Sequence, residues 1–365
     1  MTRRKPETLL PTATPICFIA ADGSLAARSA DEVPPVAELL KAMRGLVEAR
    51  RFNKLASALV RQGRLAVYPS THGQEACQVA AVQVLDADDW LFPTYRDTTA
   101  VVARGVDPAE ALTLLKGDWH TGYDPHQYKV APQATPLGTQ LTHAAGVAYA
   151  AVLRHEPTVV MALCGDGATS EGEFHAALNF AAVFRAPVVF LVQNNGYAIS
   201  VPLSRQTAAP SLAYKGIGYG VPGAIVDGND VAALLHVLGE AVRQARAGGG
   251  PQLVEALTYR MEAHTNADDA TRYRDAAEVK AWEPRDPLLR LETYLRATGA
   301  LTDEIMAGFV ADAEAIARRT RAELNRDVTP DPTDLFQHVF DTPTPQLAAE
   351  QRMLLDELAR DAEGA

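Results

Sequence analysis

Residues 158–196 read TVVMALCGDGATSEGEFHAALNFAAVFRAPVVFLVQNNG, and this stretch decides the fold. Thr158 to Cys164 is an unbroken apolar run, as a parallel strand buried on both faces requires. Ser170 and Glu173 have the spacing of a capping box, which predicts a helix over Phe174, Ala177, Leu178, Ala181 and Val183. Pro187 ends that helix, and Val188 to Val192 is the next strand. Between Gly165-Asp166-Gly167 and Asn194-Asn195-Gly196 lie 26 residues (168 to 193). A strand of ~6 residues, a helix of ~14 and two short turns fill that interval, so it is one strand-to-strand crossover. Asp166 then ends one strand and Asn195 the next. Neighbouring strands lie about 4.8 Å apart, so both side chains can reach one ion. Ligands of open parallel sheets bind outside the carboxyl ends of the strands, where this pair lies. Gly165 and Gly167 permit close backbone approach, and the following helix turns its N-terminal amides to the same place. Either string alone is an ordinary tight turn. Together, at crossover spacing, a carboxylate and a carboxamide suit a hard cation carrying a diphosphate.

Outward from this unit the alternation continues. Ala224 to Val226 reads as a strand, followed by Asp227-Gly228-Asn229-Asp230, where a cap starts a helix through Leu234, Leu235 and Leu238. Gly248-Gly249-Gly250-Pro251 breaks that helix before the strand Leu253 to Leu257. Upstream, Pro34-Pro35 opens a long helix with an apolar stripe through Val36, Leu39, Leu40, Met43, Leu46 and Val47, continuing past Leu55 and Leu59 to Gly63. The expected fold is α/β: a doubly wound, mostly parallel sheet with helical N- and C-terminal extensions. The expected divisions are an extension over 1–35 with a turn at Asp22-Gly23, an α/β domain over 36–285, and a helical region over 286–365. In that last region Ile305, Phe309 and Ile316 mark one helix, and Leu347, Leu354 and Leu358 another.

Composition excludes several classes. The chain has 365 residues, with 34 Lys and Arg against 45 Asp and Glu, a net charge of −11. That balance argues against nucleic acid or an anionic membrane as the main partner. No apolar run approaches the ~20 residues of a membrane span. Cys17, Cys77 and Cys164 lie far apart, form no CxxC, and give neither a disulfide framework nor a zinc site. Cys164, at a strand end, reads as a small buried residue. Thr2-Arg3-Arg4-Lys5 opens the chain without an apolar signal core, so a bacterial cytoplasmic protein is expected, with a short transit peptide left open.

The two strings resemble the GDG…NN motif of thiamine diphosphate enzymes. The resemblance extends further: GDGATSEGEFHAALNFAA, QNNGYAIS, VDGNDV and EALTYR…HTNADDATRYR are similar to the alpha subunit of the decarboxylating component of 2-oxo acid dehydrogenase complexes. RQGRLAVYPSTHGQEA, LFPTYRD and PLGTQLTHAAG match the same family, from about residue 36 to the C-terminus. By that resemblance Asp166, Asn195 and the carbonyl of Tyr197 hold Mg²⁺ on the diphosphate, within the cofactor-binding strings Gly165, Gly167 and Ala168. Tyr95 and Arg96 contact the diphosphate, and a guanidinium suits that contact because it can be bidentate. Leu137 binds the aminopyrimidine through its backbone and props the cofactor's bend. His264 is the active-site histidine, stabilising charge and managing protons during acyl transfer to lipoamide. Thr135, Thr139 and Gln140 overlap a monovalent-cation site of branched-chain relatives, although helix capping explains a threonine there equally well. The segment from Thr265 to Arg274 corresponds to a loop that carries regulatory serines in mitochondrial relatives; this chain has none there, and Thr265 is the remaining acceptor.

The activity so implied is oxidative decarboxylation of a branched-chain 2-oxo acid, 3-methyl-2-oxobutanoate, or of pyruvate. The implied partners are a beta subunit, which supplies the activating glutamate in an α₂β₂ heterotetramer, and a lipoyl-bearing dihydrolipoyl acyltransferase. Three rivals stand beside it. An acetoin dehydrogenase alpha subunit shares the architecture. A nicotinamide-binding oxidoreductase would share the sheet, but the chain has no GxGxxG turn after its strands. A catalytically inactive scaffold subunit is opposed by the joint presence of Asp166, Asn195, Arg96 and His264.

Overall fold

A computed structural model describes residues 6–26, 32–117, 121–133, 135–326, 331–337 and 339–364; the Thr2–Lys5 string lies outside them. Five parallel strands form the central sheet: β1 (Trp90–Phe92), β2 (Val160–Gly165), β3 (Val188–Asn194), β6 (Gly223–Asp227) and β7 (Gln252–Leu257), in the order β1-β2-β3-β7-β6. A two-stranded antiparallel ribbon, β4 (Tyr197–Ala198) with β5 (Val201–Pro202), follows β3.

The apolar runs are continuous because the sheet is covered on both faces. Along β2 and β3, Met161, Leu163, Val189 and Leu191 pack to one side with the helices Val36–Arg61, Glu75–Gln83 and Val231–Gln244. Val160, Ala162, Cys164, Val188, Phe190 and Val192 pack to the other, with the helices Thr139–Arg154 and Gly172–Phe184. This is the period-2 alternation of a strand with two dry faces. Cys164 is a free, buried member of the second cluster. Among the described residues no helix is long and apolar enough to cross a membrane.

Each predicted strand is present: β3, β6 and β7 extend one or two residues beyond the expected bounds, whereas β2 begins at Val160 rather than Thr158 and ends at Gly165. The short β1 escaped the sequence reading, since three residues carry no periodicity. The N-terminal segment also does more than extend: Ile16 bridges Val226 in parallel, with Ile16 N–H on the Ile225 carbonyl at 2.9 Å. Asp230 caps the Val231–Gln244 helix through Ala232 and Ala233 N–H, as expected, and its other oxygen accepts from Phe18 and Ile19 N–H at 2.6 and 2.8 Å.

The capping box at Ser170 and Glu173 does not form. Gly167–Ser170 winds into a 3-10 turn, held by Thr169 N–H and Oγ1 on the Asp166 carbonyl, and the α-helix starts only at Gly172, with Glu171 as an N-cap that makes no side-chain cap bond. Ser170 is therefore inside the turn and cannot cap the helix. The chain divides into two units, residues 1–321 and 322–365. The first contains the sheet, and the helix Pro287–Ala297 packs into it through Leu291 and Leu295. The second contains the helices Asp334–Gln337 and Pro345–Gly364.

Candidate active site

The crossover places β2 beside β3, with Gly165 opposite Gln193, so Asp166 and Asn195 both leave the carboxyl end of the sheet. A cleft of about 360 Å³ opens there. Its walls include all ten residues singled out in the sequence: Tyr95, Arg96, Leu137, Gly165, Asp166, Gly167, Ala168, Asn195, Tyr197 and His264. The glycines have specific reasons. A Cβ on Gly167 would stand 2.7 Å from the Ala198 Cβ, so the 3-10 turn meets the β4 strand only as glycine. Gly196 has φ +87°, the left-handed turn that separates β3 from β4.

Asp166 is 1 % exposed. Burial pushes its carboxyl above the usual value, and a bond from Gln206 opposes that shift. Gln206 Nε2 donates to Asp166 Oδ2 at 2.6 Å, while Gln206 Oε1 is buried without a partner. Among the described residues no lysine, arginine or histidine forms an ion pair with Asp166. A desolvated carboxylate whose hydrogen-bond donors, Gln206 and the Asp166 and Asn195 amides, are all neutral is a costly arrangement that a cation relieves. The two asparagines have separate roles. Asn194 Nδ2 donates to Glu255 at 2.7 Å, whereas Asn195 faces the cleft, with Oδ1 accepting from Tyr197 N–H at 3.2 Å.

Arg96, 6 % exposed, forms the opposite wall. It donates to the Ser70 carbonyl at 3.0 Å and, through one nitrogen, to His264 Nδ1 at 2.9 Å and the His264 carbonyl at 3.0 Å. Arg260 stands 3.4 Å from the same Nδ1. Burial, then the charges of Arg96 and Arg260, lower the His264 pKa to about 4. An arginine always donates, so Nδ1 is the acceptor and the neutral ring carries its proton on Nε2. The edge of the ring meets Tyr95 at a centroid distance of 6.0 Å. The segment beyond is pinned by Asp268, which accepts from His264 N–H and from the Tyr273 hydroxyl, and by Arg274, which donates to the Arg260, Met261 and Glu262 carbonyls. Gln140 donates to the Leu163 carbonyl at 2.9 Å and so ties its helix to β2.

This geometry agrees with what comparison finds. The family model described as "Dehydrogenase E1 component" matches residues 43–332. The chain belongs to that family. It is 48 % identical over 302 residues to a Mycobacterium tuberculosis protein named 3-methyl-2-oxobutanoate dehydrogenase subunit alpha, covering 83 % of this chain and 82 % of the relative. It is 37 % identical over 324 residues to a Staphylococcus aureus pyruvate dehydrogenase E1 component subunit alpha, covering 88 % and 87 %. The relatives are alpha subunits of 2-oxo acid dehydrogenases, which are oxidoreductases.

Dehydrogenase E1 components in general depend on thiamine diphosphate. The residues present fit that group: a buried carboxylate without a cationic partner, an unpartnered Gln206 oxygen, and a glycine turn bordering the cleft. The structure also brings in residues that the sequence reading passed over, namely Gln74, Gln193, Gln206 and Arg260. Gln193 directly precedes the asparagine pair and shares its strand, which was the available signal. Gln74, Gln206 and Arg260 come from loops whose approach no local pattern encodes.

Proposed function

We propose that this chain is the alpha subunit of a thiamine diphosphate- and Mg²⁺-dependent 2-oxo acid dehydrogenase that oxidatively decarboxylates 3-methyl-2-oxobutanoate, or pyruvate, and transfers the acyl group to lipoamide. The observation that carries the reading is Asp166: a buried carboxylate without an ion pair, at the end of a strand whose neighbour ends in Asn195. In this reading Asp166, Asn195 and the Tyr197 carbonyl hold Mg²⁺, a set of hard oxygen donors. Tyr95, Arg96 and the amides of Gly167 and Ala168 take the diphosphate. Leu137 supports the aminopyrimidine, and Gly165 leaves space beside it. When bound, thiamine diphosphate supplies the stabilised carbanion on which decarboxylation depends.

His264 acts as a neutral donor. Its Nδ1 is occupied by Arg96, so Nε2–H can hold a developing negative charge on substrate and release its proton only to a strong base. The partners in this reading are a beta subunit in an α₂β₂ heterotetramer and the lipoyl group of an acyltransferase, and the setting is the bacterial cytoplasm. The first-named substrate is supported by the higher identity to the 3-methyl-2-oxobutanoate relative. The test is turnover of 3-methyl-2-oxobutanoate, pyruvate and acetoin by the co-purified alpha and beta subunits. Preference for 3-methyl-2-oxobutanoate by about tenfold or more in kcat/KM is expected, the least that one methylene contributes in an apolar pocket. Preference for acetoin, or turnover of none, overturns the reading.

A further inference from the structure

A run of side-chain amides leads from the cleft into the core, and its direction is fixed at the far end. Asn195 Nδ2 donates to Gln74 Oε1 at 2.9 Å; Gln74 Nε2 donates to Gln193 Oε1 at 3.1 Å; Gln193 Nε2 donates to Asp97 Oδ1 at 2.7 Å. All four residues are buried, with at most 5 % exposure. Each primary amide can present either its oxygen or its nitrogen in a given direction, so alone it carries no polarity. Asp97 supplies one. Its carboxylate receives four donors, Gln193 and Gln78 Nε2 on Oδ1 and Thr94 N–H and Oγ1 on Oδ2, and only an ionised carboxylate accepts all four. Burial raises the Asp97 pKa, and the Thr94 and Gln193 contacts oppose that rise.

With an acceptor fixed at Asp97, Gln193 must point nitrogen inward and oxygen outward. Gln74 must do the same, and Asn195 then turns its nitrogen into the protein and its oxygen to the cleft. The bond from Tyr197 N–H to Asn195 Oδ1 requires the same orientation and leaves the second lone pair of that oxygen for a cation. We propose that Asp97, Gln193 and Gln74 are positioning residues, forming a one-way hydrogen-bond chain that aims the Asn195 carbonyl oxygen at the divalent cation. The inference rests on the Mg²⁺–thiamine diphosphate reading above and adds the device that orients one ligand of that site.

The chain predicts an outcome that simple packing does not. In Asp97→Asn the backbone Thr94 N–H keeps an oxygen on its side, so the new amide nitrogen faces Gln193 Nε2. Donor then meets donor at Gln78 and at Gln193; on the Gln193 side the conflict is relieved only by reversing Gln193, then Gln74, until it meets the Tyr197 amide at Asn195. The experiment measures Mg²⁺ affinity by calorimetry at saturating thiamine diphosphate, on the complex with its beta subunit and without substrate. Asp97→Asn is expected to lose roughly 10- to 100-fold, the scale for residues that orient metal ligands. The double variant Asp97→Asn/Gln193→Glu moves the fixed acceptor one link along and is expected to regain most of that loss.

Equal loss in the single and double variants, or affinity within twofold of wild type in Asp97→Asn, overturns the proposal. Should Asp97→Asn not fold, Gln74 decides. Gln74→Glu still accepts from Asn195 and is expected to hold affinity within about threefold, whereas Gln74→Leu is expected to lose tenfold. Equal affinities there also overturn it. A wild-type complex that binds thiamine diphosphate independently of Mg²⁺ would instead sink the metal reading itself, which separates the two failures.

Discussion

At the scale of single residues the site is governed by how burial and neighbouring charge set protonation. Asp166 is held desolvated without an ion pair, so removing it costs the empty protein little and the loaded protein a great deal. Asp166→Ala is expected to melt at or above the wild-type temperature without Mg²⁺, and to lose Mg²⁺-dependent thiamine diphosphate affinity roughly a hundredfold, as when a buried charge loses its partner. Calorimetry showing unchanged affinity would refute the metal assignment. His264 tests the other wall. Its folded pKa, about 4, lies below the ordinary 6.5, so an unfolded chain takes up the proton first. The stability it contributes is complete above pH 6.5 and disappears as pH falls through 4, where an imidazolium would sit against Arg96 and Arg260. His264→Ala should flatten that acid limb of a melting-temperature profile. In turnover assays it should impair acyl transfer to lipoamide far more than cofactor binding, and equal loss of both counts against its role.

At the scale of elements, the docking of the segment after β7 is the clearest case. Met261 N–H donates to the His72 carbonyl at 3.1 Å, and His72 Nδ1 lies 3.1 Å from Glu262. Asp286 is 3.8 Å from His72 Nε2 and 2.8 Å from Arg50, which also pairs with the buried Glu75. Burial disfavours charge on this imidazole, but Asp286 and Glu262 outweigh it and raise its pKa to about 9. Its contribution is full below the ordinary pH 6.5 and is lost as pH rises through 9, the opposite sense to His264. Hydrogen exchange across residues 260–274 is expected to quicken between pH 7 and 10 in wild type beyond the intrinsic rate, and not in His72→Leu; identical profiles would dismiss the clamp. No local pattern in the sequence marks His72, because its partners are 190 and 214 residues away (72 to 262 and 72 to 286). The strands were legible for the converse reason: a run such as VVMALC must be buried on both sides, whatever else the chain does. Ser-x-x-Glu spacing does not fix the helix start after Asp166, because it is shared by a capped helix and by a serine inside a 3-10 turn.

At the scale of the whole molecule the cleft has one wall too few. After β7 the described chain contains no further strand, so its single five-stranded sheet presents one bank of carboxyl-end loops. The rim carries apolar side chains that remain in water: Leu137, Ile199 and Val201 are 39 %, 53 % and 42 % exposed and border the same opening as Asp166. Such a cluster beside a polar site is what a subunit surface covers. The relatives are named as alpha subunits, which accords with a second polypeptide closing the site. Legibility in the sequence ends here as well, since the motif strings locate one bank of the cleft and contain nothing of the opposing chain. The expected behaviour follows from mass action. The isolated chain with thiamine diphosphate, Mg²⁺ and 3-methyl-2-oxobutanoate should release no CO₂ above background. Added beta subunit should restore turnover in proportion to the complex formed and raise the melting temperature of this chain by an amount that depends on protein concentration. Mass measurement by light scattering gives the stoichiometry. Turnover by the chain alone would mean that a complete catalytic site lies within these 365 residues, and the exposed rim would then need another explanation.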